Sequence, residues 1–148
     1  MAKKNTILSE SIEFPDQKIV PVNMEKQVRQ LFGEVPTEPE QYILASQISQ
    51  AEAKKYFIER MRVGRPKRTG IIWWNLLDGW PQISDAVVDY YYNRKLAYHY
   101  IKRSQQPVCL MFDEPESGKC RLVAVNDTPN DMQLDYTVRR FSDHQIVL

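Results

Sequence analysis

The chain has 148 residues, 43% of them hydrophobic and 26% charged, which is a globular composition and not a disordered one. Twenty lysines and arginines against 19 acids leave a formal charge of +1, which argues against a protein that grips nucleic acid or a membrane surface by bulk electrostatics. No apolar run approaches the roughly 18 residues that cross a bilayer. The opening MAKKNTILSE carries two lysines but no apolar stretch, so no secretory signal is expected and the compartment stays open. Two cysteines cannot build a disulfide framework.

Residues 1–23, punctuated by Pro15 and Pro21, have no period and read as irregular chain. Met24 to Phe32 reads as a short helix, with Val28, Leu31 and Phe32 on one face and Gly33 suited to the left-handed position after it. Val35-Pro36 is a stop. Thr37-Glu38-Pro39-Glu40 then reads as a capping box that opens a long helix ending at Val63, before Gly64 and Pro66. Leu44, Ile48, Ala51, Ile58 and Met61 give it a rough apolar stripe. Arg60, Arg62, Arg65, Lys67 and Arg68 gather at its C-terminal end, where the helix dipole favours positive charge.

Gly70 to Leu77, GIIWWNLL, is apolar on both faces, as a buried parallel strand would be. All three tryptophans of the chain lie at positions 73, 74 and 80, and a tyrosine triplet follows at 90–92. Trp80 to Tyr92 reads as a loop. Asn93 to Ser104 reads as a helix with Leu96, Ala97, Tyr100 and Ile101 on one face. Helix, basic turn, two-faced strand and helix make an α/β pattern. The texture changes at residues 104–107. Pro107–Phe112, Cys120–Val125 and Gln133–Phe141 read as an antiparallel meander with polar turns between. Two domains are therefore expected, 1–104 and 105–148. Cys109 and Cys120 fall offset on neighbouring strands, so free thiols are expected.

The run GIIWWNLLDGWPQISDAVVDYY from Gly70 resembles a segment near the end of the catalytic barrel in glycoside hydrolase family 2, in particular its β-mannosidase-like members. The matching positions are Trp73, Trp74, Leu76, Asp78, Trp80, Pro81, Ser84, Asp89, Tyr90 and Tyr91. Lys95 to Tyr100 looks like the eighth barrel helix, Ala45 to Ala51 like the helix before the eighth strand, and Val125 to Thr128 like a turn of the immunoglobulin-like domain after the barrel. The resemblance covers roughly residues 24–140. It implies a fold class of α/β: the C-terminal part of a (β/α)₈ barrel, residues 1–104, followed by the first strands of an immunoglobulin-like sandwich, residues 105–148. A barrel of this kind needs about 250 residues, so the chain is expected to be a fragment.

The resemblance also says where the chemistry lies. Retaining glycosidases need two carboxyl groups about 5 to 5.5 Å apart. In the family these glutamates follow the fourth and seventh strands. The nucleophile stands in a Ser-Glu-aromatic-Gly context, whereas Ser9-Glu10 is followed by Ser11-Ile12. Glu10 and Glu13 read as solvated acids, and the catalytic pair is expected outside this chain. What remains is one wall of a sugar subsite. An indole stacks on the apolar face of a pyranose and its N–H can bond a hydroxyl. Side chains alternate on a strand, so of Trp73 and Trp74 one faces inward and one outward, unless both are core. The resemblance makes Trp74 the floor of the subsite and leaves Trp73 as packing. Asp78 could bond a sugar hydroxyl or cap the loop before Gly79. Trp80 could rim the pocket or anchor the loop. Asp85 and Asp89 read as bonding loop backbone.

No cofactor is expected. His99 has no second ligand at metal spacing. The expected partners are a carbohydrate and the rest of a longer chain, with no nucleic acid and no membrane. Without that remainder, self-association through exposed strand edges is expected. A non-catalytic carbohydrate-binding module with exposed tryptophans is the competing reading. A nucleic-acid site on Arg60–Arg68 is disfavoured by the neutral charge balance.

Overall fold

The computed structural model describes residues 22–146; Ser9-Glu10, Glu13 and the other readings on residues 1–21 lie outside the described residues. In chain order the elements are α1 (Val22–Phe32), α2 (Pro39–Val63), α3 (Leu96–Ser104), β1 (Val108–Phe112) and β2 (Leu122–Asn126). The architecture is mixed helix and strand with a two-stranded antiparallel sheet.

Helix α1 ends at the expected glycine. Gly33 takes φ +82°, and its N–H donates to the Arg29 carbonyl at 2.8 Å, closing the last turn. Helix α2 runs to Val63 as its pattern predicts, and the Gly64 N–H donates back to the Arg60 carbonyl. Its start differs from expectation. Glu38 is the N-cap, Pro39 is the first helical residue, and no side chain caps the helix, so the Thr37 capping box does not form. Proline at the first helical position carries no N–H to satisfy, which removes one of the donors the box would serve.

The apolar stripe of α2 is buried at Ala51 and Ile58 and half-buried at Ile48 and Met61, and departs from expectation at Leu44. Its buried residues are Ala45, Ser49, Ala51, Ile58 and Arg62, while Leu44 is 57% exposed. Leu44 and Arg62 are 18 residues apart, about five full turns, and so share one side of the helix. Arg62 is covered by the chain around Ser104 and Pro107, whereas Leu44 stays more than half exposed.

The core lies between α2 and α3. Ala51 and Ile58 from α2, Ala97 and Ile101 from α3, and Val87 from the intervening loop form one buried cluster. Ile71, Trp73, Val88, Leu96, Tyr98 and Tyr100 pack around it. Helix α1 packs on α2 and buries Val28. Helix α3 begins at Leu96, three residues later than its sequence pattern suggests, because Val88 and Arg94 pair in an antiparallel bridge first.

Two strand expectations are corrected. Gly70–Leu77 is extended but not a strand; it makes one parallel bridge, Leu77 to Val88. A strand needs a ladder partner along its length, and Val87-Val88 is all that lies beside it among the described residues. Ile72 on its outer side is 99% exposed, so only one face is buried. The meander is reduced to a hairpin. β1 and β2 pair from Val108↔Asn126 to Phe112↔Leu122, and Gln133–Phe141 adds no third strand, leaving a single bridge from Arg139 to Ile146. The hairpin turns at Ser117-Gly118, both at positive φ (51° and 74°), the conformation that suits a two-residue loop. Cys109 faces Val125 and Cys120 lies beyond the ladder, so both thiols are free.

Arginines at the end of α2 fasten this hairpin. Arg60 pairs with Asp113 and Glu114, and Tyr56 donates its hydroxyl to Glu114. Arg62, almost wholly buried, donates to the Ser104 and Pro107 carbonyls and to Asp127 at 3.0 Å, and Arg65 also pairs with Asp127. The basic patch seen in sequence is thus largely spent on carboxylates.

Candidate functional site

The tryptophan segment follows strand alternation even without a ladder. Ile71 and Trp73 turn toward the helices, and Ile72 and Trp74 turn away. Trp74 is 76% exposed and Trp80, in the loop beyond it, 61%. The Trp74–Asn75 peptide bond is cis, as is Arg65–Pro66.

Backbone bonds hold the segment against its own return. The N–H groups of Val87 and Val88 donate to the Asn75 and Leu76 carbonyls at 3.1 and 2.9 Å, and the Asp78 N–H donates to the Val88 carbonyl at 3.2 Å. The Lys95 N–H donates to the Val87 carbonyl at 2.9 Å, tying the same residue to the start of α3.

Inside the loop between these strips sits Asp78, whose side chain is 0% exposed. Its carboxylate accepts from Gln82 Nε2 at 2.9 Å, from the Ser84 hydroxyl, and from Lys95 Nζ at 3.4 Å. A buried carboxylate is costly unless paired and hydrogen-bonded, and these three donors supply both. Ser84 Oγ in turn accepts from the Ala86 N–H at 3.0 Å. All of Asp78's donors come from its own loop or from the start of α3. The loop that carries Trp80 therefore closes around this side chain.

Of the two acids expected to bond loop backbone, Asp89 does so, whereas Asp85 takes part through its own main-chain carbonyl and not its carboxylate. Asp89 Oδ1 accepts from the N–H groups of Tyr91 and Asn93, each at 2.8 Å, and Oδ2 accepts from the Asn93 amide. The Asn93 amide, with these N–H groups, holds its carboxyl below the usual carboxylate range. Asp85 offers its carbonyl, which accepts from Gln50 Nε2.

Sequence reasoning missed the support that α2 lends. Lys54 Nζ donates to the Trp74 carbonyl and lies 5.2 Å from the centre of the Trp73 ring, within cation–π range. Gln47 Oε1 accepts from the Leu96 N–H at 3.1 Å. The signal was present as spacing. Gln47, Gln50 and Lys54 recur at three and four residues, one face of a helix. Polar residues on such a face read as solvated until the loop that covers them is known.

Among the described residues, no group of three or more His, Cys, Asp or Glu side chains gathers as a metal site, and no helix is long and apolar enough to cross a membrane. His99 lies exposed against the Tyr98 ring.

The chain is 36% identical over 77 residues to β-mannosidase B of Aspergillus niger, a match that takes in 50% of this chain and 9% of that protein. Its structure superposes on the crystal structure of the β-D-mannosidase of Dictyoglomus thermophilum with a TM-score of 0.67 and 31% identity, over 71% of this chain and 13% of that one. The β-mannosidase-like character expected from the sequence is thus met by a relative in sequence and by a solved structure. The chain spans about a tenth of the length of these relatives. No family model matches it.

Proposed function

We propose that this chain is the C-terminal part of a family 2 glycoside hydrolase barrel, residues 1–104, followed by the opening of an immunoglobulin-like domain, residues 105–148. In this reading it supplies one wall of the subsite for a β-mannoside or β-galactoside, while the two catalytic glutamates stand elsewhere in the assembled enzyme. The observation that carries it is Trp74: a large ring turned away from a packed partner, Trp73, at the end of an extended segment. Active sites of these barrels sit at the C-terminal ends of the strands. Trp74 stacks on the sugar and Trp80 rims the subsite. Asp78 acts as a positioning residue, since its carboxylate is wholly buried among Gln82, Ser84 and Lys95.

The outward apolar face supports the same reading. Ile72, Trp74 and Leu76 stand exposed on one side, where the interior of a closed barrel would receive them. In a complete barrel, layers of such side chains fill the middle.

The test is a chimera. Residues 24–140 replace the matching stretch of the Dictyoglomus thermophilum β-mannosidase, and hydrolysis of an aryl β-D-mannoside is measured. Turnover is expected in the chimera and none in the 148-residue chain alone. Trp74→Ala in the chimera removes a stacking surface worth about 2 kcal/mol, on the order of 30-fold in kcat/KM. A folded chimera without turnover, or one indifferent to Trp74→Ala, would falsify the proposal.

A further inference from the structure

The subsite wall leans on a helix that carries none of the residues so far assigned to sugar. Three side chains of α2 reach across to the segment between Trp74 and α3, and each hydrogen-bonds main chain. Gln47 takes the Leu96 N–H at 3.1 Å, Gln50 gives to the Asp85 carbonyl, and Lys54 gives to the Trp74 carbonyl. These anchors mark the start of α3, the loop after Trp80, and Trp74 itself. Ala51 and Ile58 bury themselves in the core between α2 and α3, so the helix is rigidly placed. Lys54 is the one that meets the tryptophans. Its ammonium lies 5.2 Å from the Trp73 ring centre on one side and bonds the Trp74 carbonyl on the other.

We infer that Lys54 is a positioning residue that sets the direction in which the Trp74 side chain leaves the backbone, by tying the Trp74 carbonyl to an ammonium seated by the Trp73 ring. A peptide carbonyl fixed at its oxygen restrains its peptide plane, and with it the direction of the Cα–Cβ bond from which the indole is carried. The cation is half-buried beside an aromatic face, where desolvation strengthens both contacts. Burial also lowers the Lys54 pKa, with Asp85 acting in the opposite direction. What this orientation serves rests on the sugar reading of Trp74; that Lys54 sets it does not.

The experiment uses the full 148-residue chain labelled with 5-fluorotryptophan, whose three fluorine resonances are assigned by single Trp→Phe changes. Lys54→Met keeps the aliphatic stem and removes the donor. The Trp74 resonance is expected to shift and broaden, and the Trp80 resonance to stay. Lys54→Arg restores a donor and is expected to return the Trp74 line toward its original position and width. If Lys54→Met loses its helical circular dichroism, Lys54→Gln, polar but too short to reach, gives the same reading. An unmoved Trp74 resonance in a folded Lys54→Met or Lys54→Gln chain overturns the inference, as does Lys54→Arg behaving like Lys54→Met. A folded but inactive chimera, by contrast, sinks the sugar reading and leaves this result standing.

Discussion

At the scale of single residues, neighbouring positions divide their labour by direction. Trp73 and Trp74 are chemically identical, and the half-turn between successive residues of an extended chain sends one into the helices and the other outward. That division was readable from sequence, because alternation needs only the order of residues. The place of Asp78 was not. Its partners Gln82, Ser84 and Lys95 lie 4, 6 and 17 residues on, and only the folded loop brings them to one carboxylate. Removing that carboxylate leaves a Lys95 cation and two polar groups without their common acceptor. Asp78→Ala is expected to lower the unfolding free energy by about 2 to 3 kcal/mol, read from urea denaturation followed by circular dichroism. A change within 0.5 kcal/mol would mean that the loop does not depend on this side chain.

At the scale of elements, helix ends were legible and helix faces less so. Gly33 and Gly64 mark the ends of α1 and α2 by local chemistry. The face of α2 is a tertiary property. Its buried positions at 45, 49 and 51 hold small residues, Ala, Ser and Ala, which a search for large apolar residues passes over. Ile58→Ala should therefore cost about 2 to 4 kcal/mol, while Leu44→Ala should fall within about 0.5. Thermal melts of the two variants separate these outcomes, and equal losses would restore the stripe first read from sequence. The hairpin shows the same limit. Its strands announce themselves by alternation, but the ion pairs that seat it join residues 60–65 to residues 113–127.

Those pairs make the hairpin sensitive to acid. The Arg121 guanidinium, donating to Asp113 at 2.6 Å, leads in holding its carboxyl below the ordinary 3.8, with the Glu114 N–H and Arg60 acting in the same sense. A carboxyl with a lower pKa folded than unfolded stabilises the folded state above the unfolded value, and this is lost as pH falls through the folded value. The protection of the β1 and β2 amides, taken relative to their intrinsic exchange rates at each pH, is expected to fall below about pH 4, and Asp113→Asn should flatten that part of the profile. A profile unchanged by Asp113→Asn would place the acid sensitivity elsewhere.

At the scale of the whole molecule, the described chain has more apolar surface than core to match it. Ile72, Trp74, Tyr91, Tyr92, Phe112 and Phe141 are among its exposed large side chains. Patches of this kind on a protein by itself mark surfaces meant for something else. The isolated chain is therefore expected to bind a hydrophobic dye and to sediment with a mass that rises with concentration. A monodisperse monomer that binds no dye would instead favour a self-sufficient carbohydrate-binding module. Sequence could foresee this from length and from the two-faced run at 70–77, but not that Ile72 would be left 99% exposed.

The three anchors that α2 sends to the loop carry a consequence for length. Inserting one residue between Gln50 and Lys54 would swing the second half of the helix by about 100° and advance it by about 1.5 Å. Gln47, Gln50 and Lys54 could then no longer face the loop together. The hairpin tip at Ser117-Gly118, tied to the rest of the chain only through its strands, could take the same insertion with little more than a longer bend. Descendants of this sequence should vary freely in size at the tip and hold the spacing 47–50–54 to the residue.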